Sequence, residues 1–215
     1  MTDILNLIQN RCFIIAEAGV NHNGDINIAK KLVDKAKEAG VDAIKFQTFR
    51  AENLVTKEAP KAEYQKETTG DGSQFEMLKK LELSLEDHII LKKYCEEKGI
   101  MFISTPFDYE SVDLLEKTDV LLYKVSSGDL TNLPLLSYIA NKNKPIILST
   151  GMANLGEVEE AVETISKAGN DRIILLHCTS NYPTAYEDVN LRAMLTMKEA
   201  FKLPVGYSDH TIGIE

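Results

Sequence analysis

Three observations predict an α/β fold of the (β/α)8-barrel type. Short β-branched runs alternate with longer amphipathic segments almost from end to end, the pattern of a parallel sheet with crossover helices. Each run closes on polar groups, as strands do where a barrel builds its site. The first turn, GVNHNGD, does not fit the G-x-G-x-x-G of the rival architecture, a doubly wound dinucleotide-binding sheet.

The strand candidates in order are FIIAEAG (13–19), AIKFQTF (43–49), MFISTPF (101–107), LLYKVSS (121–127), PIILSTG (145–151), RIILLHC (172–178) and PVGYSDH (204–210). Seven are expected, so the barrel is read as truncated after about seven strands. The helix pattern INIAKKLVDKAKEAG sets Ile28, Leu32, Val33 and Ala36 on one face and its lysines on the other. Gly40, Gly99 and Gly169 follow such helices, where a left-handed residue is wanted. Strands begin mostly about 20 to 32 residues apart, a reasonable length for one βα unit. The longer interval, residues 50–83, is polar and ends in a Gly-rich turn. It reads as an active-site insertion or lid, because regular units continue on both sides. No composition break marks a second domain, so residues 1–215 are expected to be one.

Lys plus Arg number 24 against 33 Asp plus Glu, a net charge of -9, in a chain of 215 residues with 44% hydrophobic content. That balance repels nucleic acid and anionic membrane surfaces, so an anionic substrate must be held by local cations and backbone dipoles. Cys12, Cys95 and Cys178 are odd in number and widely spaced, which suits a reducing compartment. No apolar run approaches a membrane span, and MTDILNLIQNR lacks the regions of a signal peptide. A soluble, cytoplasmic protein with no membrane or nucleic-acid partner is expected.

The strand ends carry, in order, Glu17; Lys45 and Gln47; Ser104 and Thr105; Lys124, Ser126 and Ser127; Ser149 and Thr150; His177, Thr179 and Ser180; and Ser208, Asp209 and His210. A single such Ser or Thr is more often a helix cap; seven consecutive ends are hard to explain that way. Lys45 and Lys124 lie inside apolar strands, where an ammonium needs a compensating anion. Either can belong to a structural salt bridge. Together with the hydroxyls they describe a phosphate or carboxylate pocket. His210 is a candidate metal ligand if a second donor converges on it, and otherwise a hydrogen-bonded structural residue. His22 is placed to face the same mouth, and His88, on a helix, is expected to face solvent.

The runs IIAEAGVNHNGD, AIKFQTF, STPFD, YKVSSGD, LSTGMA, HCTSNYPT and GYSDHTIG occur in the order and at about the spacing of the N-acetylneuraminate (sialic acid) synthase family, which the chain resembles from residue 13 to 215. The resemblance implies a (β/α)8 barrel followed by an antifreeze-protein-like domain, a homodimer, and a divalent metal, Mn2+ or alternatively Mg2+ or Co2+. It implies a phosphoenolpyruvate site of Lys45, Thr105, Lys124, Ser127, Ser149, Ser180, Tyr182 and Ser208. Glu17 matches the catalytic carboxylate, Gln47 and Asp129 match sugar-contacting positions, and His210 matches one of two metal-binding histidines. The second histidine, on strand eight, and the C-terminal domain, with the Arg it lends the partner subunit, are not found before Glu215.

The implied reaction condenses phosphoenolpyruvate with open-chain N-acetylmannosamine and water, giving N-acetylneuraminate and phosphate. Glu17, Lys45 and Lys124 are the expected catalytic groups. The nearest alternative is a legionaminic or other nonulosonic acid synthase, acting on a diacetylated dideoxy sugar. A Schiff-base aldolase using Lys124 or Lys45 is more distant. An inactive fragment or anion-binding subunit is the non-enzyme alternative.

Overall fold

A computed structural model describes residues 4–9, 11–61 and 70–213. All seven expected strands form: β1 (Ile15–Gly19), β2 (Ala43–Thr48), β3 (Met101–Pro106), β4 (Tyr123–Val125), β5 (Ile146–Ser149), β6 (Ile173–Cys178) and β7 (Val205–Ser208). Every strand pair is parallel, in the orders β1-β2-β3 and β4-β5-β6-β7. The chain divides into two compact units, Met1–Val120 and Leu121–Glu215, each built on one of these sheets.

In the first unit the helix Ile26–Glu38 starts where the Asp25 carboxylate accepts the Asn27 N–H at 2.7 Å, which satisfies one of the donors a helix start leaves open. It buries Ala29, Val33 and Ala36, while Ile28 and Leu32 are half-buried. The helix Leu85–Lys98 begins at a capping box between Ser84 and Asp87. It ends at Gly99, whose φ of 66° is the left-handed conformation that terminates a helix without a Cβ penalty. The helix Tyr109–Thr118 is capped by Asp108, which accepts the Ser111 N–H at 2.8 Å.

Among its described residues, the polar interval after β2 contains the short helices Ala51–Leu54 and Gln74–Lys79. Glu82 fastens its base. One carboxylate oxygen accepts the Ala51 N–H at 2.8 Å, and the other takes Arg50 and Lys79, both at 3.2 Å. Residues 62–69 of this interval lie outside the described residues.

Strand parity gives the first sheet two faces. Glu17 pairs with Lys45 and Lys45 with Ile103, while Gln47 pairs with Thr105, so these positions share one face. Ile44, Phe46, Thr48, Phe102 and Ser104 occupy the other, helix-covered face, where Phe46 stacks on Phe102 with ring centroids 5.6 Å apart. Two expectations about histidines are corrected on that second face. His88 is fully buried rather than solvent-facing: its Nδ1 donates to the Ser84 carbonyl at 2.7 Å, and its Nε2 lies 2.8 Å from the Thr48 hydroxyl. His22 is also fully buried and lies against Phe46 at 6.1 Å, on the helix side and not on the face of Lys45.

In the second unit the helices Leu133–Ala140, Leu155–Lys167 and Ala193–Phe201 cover a core that includes Tyr123, Val125, Leu136, Ile146, Leu148 and Ile165. Each fully buried aliphatic or aromatic side chain contributes about 1.5–3 kcal/mol. β4 is shorter than the expected 121–127, because its polar end folds back. Residues Ser127–Asp129 form a 3-10 turn, with the Leu130 N–H donating to the Ser127 carbonyl at 3.3 Å. β7 stops at Ser208 for a related reason: the Asp209 carboxylate accepts both the N–H (2.9 Å) and the hydroxyl (2.8 Å) of Thr211, a local alternative to the ladder. Among the described residues, no helix is long and apolar enough to cross a membrane.

Candidate active site

The predicted site residues fall into two groups, one in each unit. In the first, Glu17 and Lys45 are ion-paired across the β1–β2 register, with the Lys45 side chain largely covered and the Glu17 side chain half open to solvent. The anion that a lysine inside an apolar strand demands is therefore a carboxylate of the same chain. Gly19 sits behind this pair at φ 52°, and a Cβ there would lie 3.2 Å from Glu17 Oε1. Gln47 and Thr105 are register partners one step further along the same face. Thr105 is 2% exposed, and its hydroxyl has no hydrogen-bond partner among the described residues. A buried, unpaired hydroxyl costs free energy unless a water or a ligand binds it, so Thr105 is a candidate polar contact.

In the second unit Lys124 is buried, and its ammonium donates to the Ser149 hydroxyl at 2.6 Å and the Val125 carbonyl at 2.7 Å. Parity along β4 to β7 sets Lys124, Ser149, Leu176, Cys178, Gly206 and Ser208 on one face. Beyond the strand ends, the Gly151 N–H donates to the Ser127 hydroxyl at 2.9 Å, and Ser180 Oγ lies over the same glycine. Lys124, Ser127, Ser149, Ser180 and Ser208 thus cluster at one sheet end, as a site for an anion requires. Gly151 belongs to this cluster, although the sequence marks it only as the last residue of the strand candidate PIILSTG.

Asp129 is tied to the 3-10 turn by the Ser126 hydroxyl, which donates to it at 2.6 Å. Burial pushes its carboxyl up from the ordinary range, while hydrogen bonds from Ser126 and Asn132 and the charge of Lys124 act against that. Tyr182 is 68% exposed, and its ring lies 4.2 Å from that of His210. His177 lies on the opposite face of β6 from the cradle. Its Nε2 donates to the Val189 carbonyl at 2.7 Å, and its ring stacks on Tyr207, so it takes no part there.

His210 Nδ1 lies 2.7 Å from the Thr179 carbonyl, which can only accept, so this nitrogen carries a proton and Nε2 is the ring nitrogen that can offer a lone pair. A carbonyl bound to the other ring nitrogen is the usual way a ligating imidazole is oriented, and His210 fits one metal donor. Among the described residues, no group of three or more His, Cys, Asp or Glu side chains is arranged to hold a metal ion.

The seven parallel strands with covering helices and polar strand ends define a (β/α)8-barrel-type α/β protein. The sequence matches the NeuB family over residues 32–215, and the chain belongs to that family. It is 56% identical over 208 residues to N,N'-diacetyllegionaminic acid synthase of Legionella pneumophila, covering 94% of this chain and 58% of the relative. It is 37% identical over 207 residues to human N-acetylneuraminate-9-phosphate synthase, covering 96% of this chain and 57% of the relative. The crystal structure of N-acetylneuraminic acid synthetase from Leptospira borgpetersenii, in complex with citrate, superposes with a TM-score of 0.82 at 37% identity, covering 96% of this chain and 67% of that one. The chain thus spans less than two thirds of the length of these two curated relatives.

Proposed function

We propose that this chain carries the phosphoenolpyruvate site of a nonulosonic acid synthase that accepts a diacetylated amino sugar. The carrying observation is the cradle in which the buried Lys124 ammonium holds Ser149 beside the converging hydroxyls of Ser127 and Ser180. An ammonium and several hydroxyls at one sheet end suit a phosphate or carboxylate in a chain whose net charge of -9 offers anions little elsewhere. Within the first unit, Lys45 and the Thr105 hydroxyl, which has no partner among the described residues, are candidate anion contacts of their own.

In the reaction so assigned, C3 of phosphoenolpyruvate bonds to the aldehyde carbon of the open-chain sugar, water adds at C2, and phosphate departs. Lys124 and the serines around it orient the anionic substrate, which turns an encounter into an effectively unimolecular step. Glu17, half open to solvent and hydrogen-bonding distance from Lys45, takes or delivers a proton or positions water. Asp129, with a raised pKa, and Gln47 contact the sugar. A divalent metal held in part by His210 would supply Lewis-acid polarisation of the aldehyde oxygen.

The choice of acceptor rests on the relatives. N-acetylmannosamine was the first expectation, but the 56% identity to a diacetyllegionaminic acid synthase against 37% to the human enzyme favours the diacetylated alternative. Phosphate release by the full-length protein, with phosphoenolpyruvate, Mn2+ and either sugar, tests this. A kcat/KM at least tenfold higher with the diacetylated sugar is expected. Preference for N-acetylmannosamine would restore the first reading, and no turnover with either sugar would leave an anion-binding protein.

A further inference from the structure

Glycine is required in proteins either for its backbone freedom or for its missing side chain, and at Gly151 the two can be separated. Gly151 is not among the residues with positive φ, so an L-residue can adopt its backbone conformation without strain. Space is another matter. A Cβ at this buried position would lie 2.8 Å from Ser127 Oγ and 3.1 Å from the Cys178 carbonyl oxygen, and it would overlap Ser180 Oγ more severely still. What glycine supplies here is room for two hydroxyls, one following β4 and one following β6, to meet over it.

The Gly151 N–H adds a second effect. By donating to Ser127 Oγ at 2.9 Å it occupies an acceptor site of that hydroxyl and leaves its O–H to donate. Two residues earlier Ser149 accepts from Lys124. One short segment, Ser149 to Gly151, thus engages the Lys124 ammonium through its first residue and the Ser127 hydroxyl through its last.

We propose that Gly151 is a positioning residue for the bound anion: its missing side chain is the floor on which Ser127 and Ser180 converge, and its N–H turns Ser127 into a donor toward the phosphate of the substrate. The inference rests on the reading of this cluster as the phosphoenolpyruvate site.

The test is calorimetry with phosphoenolpyruvate and with inorganic phosphate on the full-length protein and on Gly151→Ala, Ser180→Ala and the double variant, with the sugar KM measured alongside. Gly151→Ala is expected to weaken both anions roughly tenfold or more while leaving the sugar KM unchanged, a split that a general loss of structure would not produce. In the Ser180→Ala background the worst overlap is gone, and the added methyl is expected to cost far less than in the wild type. This background also serves if Gly151→Ala alone melts much lower. Wild-type affinity in Gly151→Ala, or effects of the two substitutions that multiply independently, would overturn the inference alone. A wild-type protein that binds neither anion would overturn the reading of the site and the inference with it.

Discussion

Lys45 and Glu17 form an ion pair across adjacent strands, so the cation expected to hold the substrate is neutralised by the carboxylate expected to act on it. If phosphoenolpyruvate binds at Lys45, its phosphate or carboxylate has to compete with Glu17 for the same ammonium. Binding and the release of Glu17 would then be one event.

Glu17→Gln removes this competitor. Because the Glu17 side chain is 53% exposed, the pair is worth no more than about 1 kcal/mol, so phosphoenolpyruvate should bind up to about fivefold more tightly. Turnover should fall by about 100-fold or more, since the amide keeps shape but cannot exchange a proton. Calorimetry and steady-state kinetics on the same variant check both. Tighter binding together with lost turnover is the expected signature; weaker binding would show that Glu17 supports the anion and does not compete with it.

Lys124 is buried, and its ammonium is held by the Ser149 hydroxyl and the Val125 carbonyl. Lys124→Ala should cost phosphoenolpyruvate about 1.5–3 kcal/mol of binding, roughly 10- to 150-fold in Kd. Lys124→Arg should not rescue it, because a planar fork cannot occupy the place of a compact ammonium. Affinity unchanged in either variant, read by calorimetry, would remove Lys124 from the site.

His210 is oriented by the Thr179 carbonyl and lies against the tilted ring of Tyr182. If its free nitrogen binds the metal, His210→Ala should lose most activity, and added Mn2+ should restore only part of it. Titrating activity with Mn2+ in wild type and variant gives the answer, and superimposable curves would exclude the role.

The seven strands were legible because β-branched runs in a parallel sheet carry their own signature, and the strand-end lysines stood out because an ammonium in an apolar run needs a compensating anion. The partner of Lys45 was not legible, since the β1–β2 register that brings Glu17 to it exists only in three dimensions. His88 was misread because its neighbours mislead. Ile89 and Ile90 look like the buried face of their helix but are 47% and 37% exposed, while the histidine between Ser84 and Thr48 is fully covered. Gly151 stood in the sequence only as the last residue of the strand candidate 145–151. Only its unstrained φ and its crowded surroundings set it apart.

The buried histidine layer of the first unit gives a prediction about pH. Burial lowers the pKa of both His22 and His88 from 6.5. For His88, the Ser84 carbonyl and the charge of Asp87 oppose the shift, and Arg50 adds to it; for His22, His88 adds to the shift and Asp87 opposes it. Both groups are therefore neutral in the folded protein at pH values where the unfolded chain already binds protons. As the unfolded state then holds more protons, stability is full above about pH 6.5 and falls as pH drops toward the folded pKa values. Each histidine contributes at most about 1.4 kcal/mol per pH unit over that window. Denaturant melts at pH 7.5 and 5.5 should show the acid sample less stable. His88→Gln, which keeps polar contacts to Thr48 and Ser84 without a titrating ring, should start lower but lose less stability between the two. An equal pH slope in that variant would show that His88 does not set the acid sensitivity.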